Sequence, residues 1–309
     1  MTTVSGGTTT TGSIARQLEM GINAVVGQNY PQYPKQYTDF LEVVSSKKAY
    51  ETDVPMAGTG YAKATAEGAG VEFDSMQEGA AKRYLNVKYA LAFRVTEEAI
   101  EDNLYAPMIP KIGRMGVQAI AHTKEEVAAN MINNGYNSSY VGWDGLSLFN
   151  SAHKLIKGGT YSNVLPVAAD LSEASLEDAI IRIQSLTDDA GLLIGLTAQS
   201  LHVAPSNQFN AERILKSTLQ NDTNNNAINA IRSNGMLPKG YFVNQRFDDA
   251  ANWFIRTDCM DGGKFINRVD IKSNNDNDFG TGDYLHKVST RFAVGWTDAR
   301  QYFGSGNVV

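Results

Sequence analysis

The stretch Leu85-Asn86-Val87-Lys88-Tyr89-Ala90-Leu91-Ala92-Phe93-Arg94-Val95, carried on through Thr96 to Gly135, decides how this chain is read. Apolar side chains fall on every second residue from Leu85 to Val95, the period of a half-buried strand. At about 3.3 Å per residue such a strand spans roughly 36 Å, about twice the ordinary length. The period then changes. Thr96 can cap a helix, with Glu97 and Glu98 at its positive end. Pro107 and Pro110 interrupt the pattern. From Pro110 a second helix is predicted to Asn133 or Asn134, with Gly135 as its stop. Ile112, Gly116, Ile120, Thr123, Val127 and Met131 trace one face of it, and Arg114, Gln118, Glu125 and Glu126 fall largely off that face. A very long strand feeding a very long helix suits an elongated plate.

Outward from this spine, the chain divides. Residues 1–12 are rich in Thr, Gly and Ser, and Ser13 can cap a helix with a stripe of Ile14, Leu18, Ile22 and Val25. That helix either packs on its own domain or forms an arm lying on a neighbouring subunit. Residues 40–84 read as two extended runs around Gly58, Gly60, Gly68 and Gly70, a long hairpin with little apolar material to bury it. Isolated two-stranded ribbons are marginal, so this one needs a surface to lie on, more plausibly another subunit than solvent.

Beyond Gly135, residues 136–166 are loop-rich. Ser172 then caps a helix with the stripe Leu176, Ala179, Ile180, Ile183 and Leu186. Leu192–Leu196 followed by Leu201–Pro205 reads as strand, Phe209–Ser217 as a short helix, residues 221–229 as loop, and Tyr241–Phe247 and Trp253–Thr257 as strands. Residues 261–283, crowded with Gly, Asn and Asp, read as a mobile loop. Val288, Thr290, Phe292, Val294 and Trp296 alternate again and are expected to return to the sheet that carries Leu85–Val95. Helices and strands alternate after Leu171, which fits an α/β or α+β subdomain, and the return strand would make the first domain discontinuous in sequence.

Composition narrows function. The chain has 309 residues, which favours two subdomains, and a net charge of −6, which argues against a strongly basic nucleic-acid reader but allows a protein that encloses nucleic acid. Cys259 is the single cysteine, which rules out an intrachain disulfide and a Cys-rich metal site. No apolar run approaches a membrane span and the N-terminus has no signal-peptide pattern, so the chain reads as soluble and intracellular.

The chemistry-bearing residues form no recognised site. His122, His153, His202 and His286 are not at metal-ligand spacing. His153, beside Asn150 and Ser151, is the one histidine to weigh for catalysis. No GxSxG elbow supplies a nucleophile, and a hydrogen-bonded loop histidine is the simpler reading. Glu97-Glu98, Glu125-Glu126 and Asp188-Asp189 read as helix-end or solvated charges. Asp276 and Asp278 lack the closing Glu of a calcium loop. Gly58-Thr59-Gly60 and Gly68-Ala69-Gly70 lack the phosphate-loop pattern. No catalytic, cofactor-binding or metal residue is assigned, and a self-assembling structural protein is favoured over an enzyme.

The order of these parts resembles the major capsid protein of tailed double-stranded DNA phages, the Hong Kong 97-type fold. The resemblance implies an N-terminal arm at 1–39, an extended hairpin loop at 40–84, a peripheral domain with the spine helix at 85–165, an axial domain at 166–284 and a return strand at 285–309. Locally, Leu148-Phe149-Asn150-Ser151-Ala152-His153, then Gly159-Thr160-Tyr161-Ser162-Asn163 and Leu171-Ser172, together with Leu201-His202-Val203-Ala204-Pro205 and Asn252-Trp253-Phe254, are similar to the Mu-like major head subunits. The resemblance implies hexamers and pentamers closing an icosahedral shell around packaged DNA, with portal, scaffolding and decoration proteins as partners, assembled in the host cytoplasm. It leaves no room for a cleaved scaffolding segment. Lys47, Lys48 and Lys63 match no crosslinking motif. An encapsulin-like compartment with protein cargo is the alternative of the same fold, and a small hydrolase using His153 is the alternative of another class.

Overall fold

The computed structural model describes residues 33–102, 109–219 and 227–306. The expected arm helix after Ser13, the prolines at 107 and 31 and most of the Asn-rich loop lie outside them. In chain order the elements are α1 (Tyr37–Phe40), β1 (Glu42–Ser45), β2 (Tyr50–Asp53), β3 (Met56–Ala57), β4 (Gln77–Glu78), β5 (Lys82–Leu85), β6 (Val87–Val95), α2 (Glu97–Glu101) and α3 (Ile109–Asn133). Then come β7 (His153–Lys154), β8 (Thr160–Tyr161), α4 (Glu173–Gln184), β9 (Ala198–Val203), α5 (Gln208–Lys216), α6 (Ala230–Ser233), β10 (Tyr241–Val243), β11 (Trp253–Thr257), β12 (Gly263–Asn277), β13 (Tyr284–Trp296) and β14 (Tyr302–Gly304). The described residues divide into two units: 33–35, 86–102, 109–125 and 267–293 form the first, and 36–85, 126–219, 227–266 and 294–306 the second.

In the first unit β12, β13 and β6 lie side by side in that order. The return strand pairs antiparallel with the founding strand over its whole length, from Tyr284 opposite Val95 to Phe292 opposite Val87. Tyr89 stacks on Phe292 at 4.7 Å. The helix α3 runs for 25 residues. It meets the sheet at Gly116, where a Cβ would sit 3.0 Å from Val288 and 3.3 Å from Phe93, so the missing side chain sets how closely the helix approaches. Val117 and Ile120 are buried beside it, as are Val288 and Phe292. The helix also buries Lys124, whose Nζ lies 3.1 Å from Asp270 on β12.

Four expectations for this unit are corrected. The long strand is interrupted at Asn86, giving β5 and β6. On β6 the alternation holds only in part, because Val87 and Leu91 stay exposed on a strand with a partner on one side only. Glu125, expected off the packed face, is buried, as is Lys124 beside it. Most importantly, the expected mobile loop 261–283 is largely β12, a strand of 15 residues. Low strand propensity is overridden by pairing with β13, and Thr290 Oγ1 donates to the carbonyl of Val269 at 3.0 Å. Residues 261–262 and the turn 278–283 remain irregular; the turn is held by side chains. There Arg94 pairs with Asp283, which also accepts from the backbone of Glu97 at 3.3 Å, so Asp283 takes part of the role expected of Thr96.

The second unit is built on a four-stranded sheet in the order β10-β9-β11-β14. β10 runs parallel to β9, whereas β11 is antiparallel to both β9 and β14. The predicted stripe of α4 packs here as expected: Leu176, Ala179, Ile180, Ile183 and Leu186 are all buried with Leu201, Val203, Trp253 and Ile255. Ser172 caps α4 by accepting from Ser175 N, and Ser175 returns the bond to the Ser172 amide. Leu192–Leu196 is not strand, and Leu193 is exposed. A tight turn there instead ties Asp188 N to the Leu192 carbonyl at 2.8 Å. The expected strand from Tyr241 stops at Val243.

His202 on β9 is sandwiched between Phe254 at 4.8 Å and Phe242 at 5.3 Å, and its Nε2 meets Ser200 Oγ at 2.9 Å. Burial, with Arg256 adding to it, pushes its pKa down to about 3. Gly135 does end α3, but its φ is not positive. A Cβ there would lie 2.4 Å from the Phe149 ring, so glycine is required for close packing and not for a left-handed cap.

Candidate functional site: a projecting hairpin and a closed polar loop

Two irregular regions of the second unit carry the residues that the sequence singles out. The first is the hairpin. Its base is a ladder, with Tyr50–Asp53 opposite Lys82–Leu85 and Met56–Ala57 opposite Gln77–Glu78. The Arg83 guanidinium lies 3.6 Å over the Tyr50 ring. Asp53 accepts from Lys264 Nζ and Thr297 Oγ1, each at 2.8 Å, and Tyr84 packs where Gly295 leaves room for its ring. These contacts anchor the base.

Beyond Ala57 and Gln77 the ladder ends. Residues 58–76 are held by a few polar contacts. Gly60 N donates to Asp74 Oδ2 at 2.7 Å, Lys63 pairs with Glu72, and Lys157 Nζ donates to the Gly58 carbonyl at 3.0 Å. The backbone amides of Gly60 and Ser75 hold the Asp74 carboxyl below its ordinary value. None of this buries the apolar side chains: Tyr61 is 79% exposed, Val71 75% and Phe73 101%. Fully burying one such side chain is worth about 1.5–3 kcal/mol, none of which this chain gains by itself. The glycine pairs of the tip meet no helix start.

The second region runs from Val141 to Leu165. His153, at 1% exposure, is closed off from solvent. Its Nδ1 lies 2.6 Å from Asp144 Oδ2 and its Nε2 3.1 Å from the Leu148 carbonyl, while the ring stacks on Tyr161. Burial by itself would raise the Asp144 carboxyl, but the His153 N–H and the Leu146 amide outweigh it and hold the carboxyl below its usual range. Asn163 is fully buried and works as a rivet. Its Nδ2 lies 2.7 Å from the Leu148 carbonyl, 3.1 Å from that of Ala299 and 3.0 Å from that of Tyr302. Its Oδ1 accepts from Asn150 N at 2.9 Å. The loop motif therefore folds into one hydrogen-bonded unit, and His153, the residue weighed for catalysis, is spent inside it.

The remaining candidates form no common site, although Asp189 reaches the second region. His122 is exposed on α3 near Gln118, and His286 is buried on β13 with its Nε2 3.2 Å from Ser273 Oγ. Asp188 and Asp189 accept turn amides, those of Ala190 and Ile156 among them. Asp276 lies on β12, and Asp278 accepts the amide of Gly280. Among the described residues no group of three or more His, Cys, Asp or Glu is arranged to hold a metal, and no helix is long and apolar enough to cross a membrane. The sequence reading missed the role of Asn163, which only its long-range carbonyl partners reveal, and the Lys124–Asp270 pair, hidden by reading α3 for apolar residues alone.

The family model described as phage capsid protein matches residues 80–303. The chain belongs to the phage capsid protein family. Among solved structures, this capsid protein is similar to the procapsid of bacteriophage JBD30, with a TM-score of 0.54 and 13% identity over 97% of this chain and 77% of that one. It is similar to the capsid of an empty GTA particle, with a TM-score of 0.52 and 13% identity over 87% of this chain and 88% of that one. A virus-like particle from Pyrococcus furiosus has a TM-score of 0.50 and 11% identity over 92% of this chain and 98% of that one. These likenesses carry the fold, which is the Hong Kong 97-type fold of the sequence reading. No match is found among curated proteins.

Proposed function

We propose that this capsid protein is the major head subunit of a tailed phage. Its copies form the hexamers and pentamers of an icosahedral shell around the double-stranded DNA genome, assembled in the host cytoplasm. The carrying observation is the hairpin tip, an anchored ribbon whose Tyr61, Val71 and Phe73 are left in solvent by the lone chain. Placed over the adjacent subunit, these side chains gain their burial, and repeated heterologous contacts of this kind close a shell. In this reading 1–39 is an arm, 40–84 the extended loop, 85–165 the peripheral domain, 166–284 the axial domain and 285–309 the return strand. Portal and scaffolding proteins, and possible decoration proteins, are its further partners, and it encloses DNA without reading its sequence. The riveted loop 148–163 supports kinship with the Mu-like head subunits.

The chain's role is structural, in keeping with His153 being sealed inside its loop. The virus-like particle from Pyrococcus furiosus has a similar fold, so fold alone does not identify a phage head; the family match favours the phage head over a compartment with protein cargo. Sedimentation and negative-stain imaging of the expressed protein test the reading, with megadalton shells expected. Deleting residues 56–72 is expected to leave a soluble subunit that forms no stable shells. Normal particles from that deletion would remove the hairpin from the account, and particles filled with enzyme cargo would turn it towards a compartment.

A further inference from the structure

The second unit contains a concavity with no part in the regions above. The end of α5, the turn after α6 and the start of β10 border an open hollow of about 370 Å³, at which the Lys216, Arg232 and Lys239 side chains are exposed. Lys216, Arg232 and Lys239 line it, together with Pro238 and Tyr241, and no carboxylate is among its lining residues. Glu212, one helical turn before Lys216, pairs with that lysine at 3.0 Å. Among the described residues neither Arg232 nor Lys239 has an ion-pair partner.

The walls are firmly built. Ile231 and Leu237 point into the buried core of the unit. Asn229 caps α6 by accepting from Arg232 N, and it donates to the Ile214 carbonyl. Arg232 Nη1 is pinned to the Lys216 carbonyl at 2.5 Å, which fixes where the guanidinium stands. Gly235 and Gly240 take positive φ at the two turns, which lets the backbone close around the hollow.

We propose that this hollow is a binding site for the phosphate group of a small phosphorylated ligand, of the class of a free nucleotide. Arg and Lys are the side chains that recognise phosphate, the first through a planar fork of donors and the second as a point charge. The volume falls within the range of small-molecule sites. A compact hollow also fits a small ligand better than an acidic peptide, which in extended or helical form needs a longer groove. The site lies apart from the hairpin and does not depend on the shell reading.

Titration calorimetry of the purified protein at low salt, with inorganic phosphate and with dATP in separate arms, tests this. Both are expected to bind, dATP the more tightly, with sulfate competing. The double variant Arg232→Ala/Lys239→Ala is expected to weaken both by about tenfold or more, through loss of two nearby charges. Lys287→Ala, an exposed lysine of the other unit, should change nothing. If the double variant does not fold, Lys239→Ala alone, an exposed side chain, carries the same test with a smaller loss. Absence of binding, or equal weakening by Lys287→Ala, would overturn the assignment. Binding of a single-stranded oligonucleotide with none of phosphate or dATP would overturn it too, pointing to a nucleic-acid backbone.

Discussion

The loop 141–165 and the hairpin tip 58–76 are both irregular segments of the same unit, yet they are stabilised in opposite ways. The loop buries polar side chains and gives each a partner within the chain: His153 reaches Asp144 and Leu148, and Asn163 reaches three carbonyls. The tip exposes apolar side chains and gives them nothing. A segment of the first kind is complete in one copy of the chain. One of the second kind is complete only when something else covers it. An irregular loop is therefore judged by where its unmet surface lies and not by its lack of ladder bonds.

The sharpest break in this contrast is His153→Ala. Removing the ring leaves the buried Asp144 carboxylate without its hydrogen-bond partner, and a loss of about 3–5 kcal/mol of subunit stability in urea denaturation is expected. A loss below about 1 kcal/mol would mean that water replaces the ring freely, and the loop would not be closed.

Acid separates the regions less steeply. His202 has its folded pKa lowered to about 3, against an unfolded value near 6.5. The unfolded chain then binds the proton that the folded chain refuses. Stability is thus fully present above about pH 6.5 and falls by about 1.4 kcal/mol per pH unit as pH drops from there towards 3. Burial lowers His286 in the same direction. Asp144, lowered instead among carboxylates, contributes stability present above about pH 3.9 that is lost as pH falls through its folded value. Denaturation followed at pH 7, 6 and 5 checks this: the slope should shrink by close to one proton in His202→Gln. An unchanged slope would contradict the neutral, stacked ring.

The smallest effect belongs to the tip. Phe73→Ser with Val71→Ser should move subunit stability by no more than about 0.5 kcal/mol, because neither side chain touches the body of its own chain. Shell yield should nevertheless drop. A large destabilisation of the lone subunit would mean that the tip is tied into its own fold after all.

Elements whose apolar period is pure were legible in the sequence. The α4 stripe with its Ser172 cap, β11, and the pairing of β13 with β6 are all as read. β12 was not, because its Asn, Asp and Gly content hides Phe265, Ile266, Val269 and Ile271 until a partner strand supplies the alternation. The run Leu192–Leu196 misled in the opposite sense: it is irregular chain after a turn, and only its last residue, Leu196, reaches the core cluster. For the site, the hairpin could be read from its glycines and its want of apolar residues. The rivet at Asn163 could not, since its partners Ala299 and Tyr302 are remote in sequence and only the fold brings them near.

The salt link of Lys124 to Asp270 has a mechanical consequence for the first unit. An ammonium sunk between helix and sheet, 3.1 Å from one carboxylate, tolerates no gradual drift of α3 along β12. Sliding the helix by one turn takes the buried ammonium away from that carboxylate, so the pair behaves as a detent. The helix can rock about that point, but it advances only by a discrete jump.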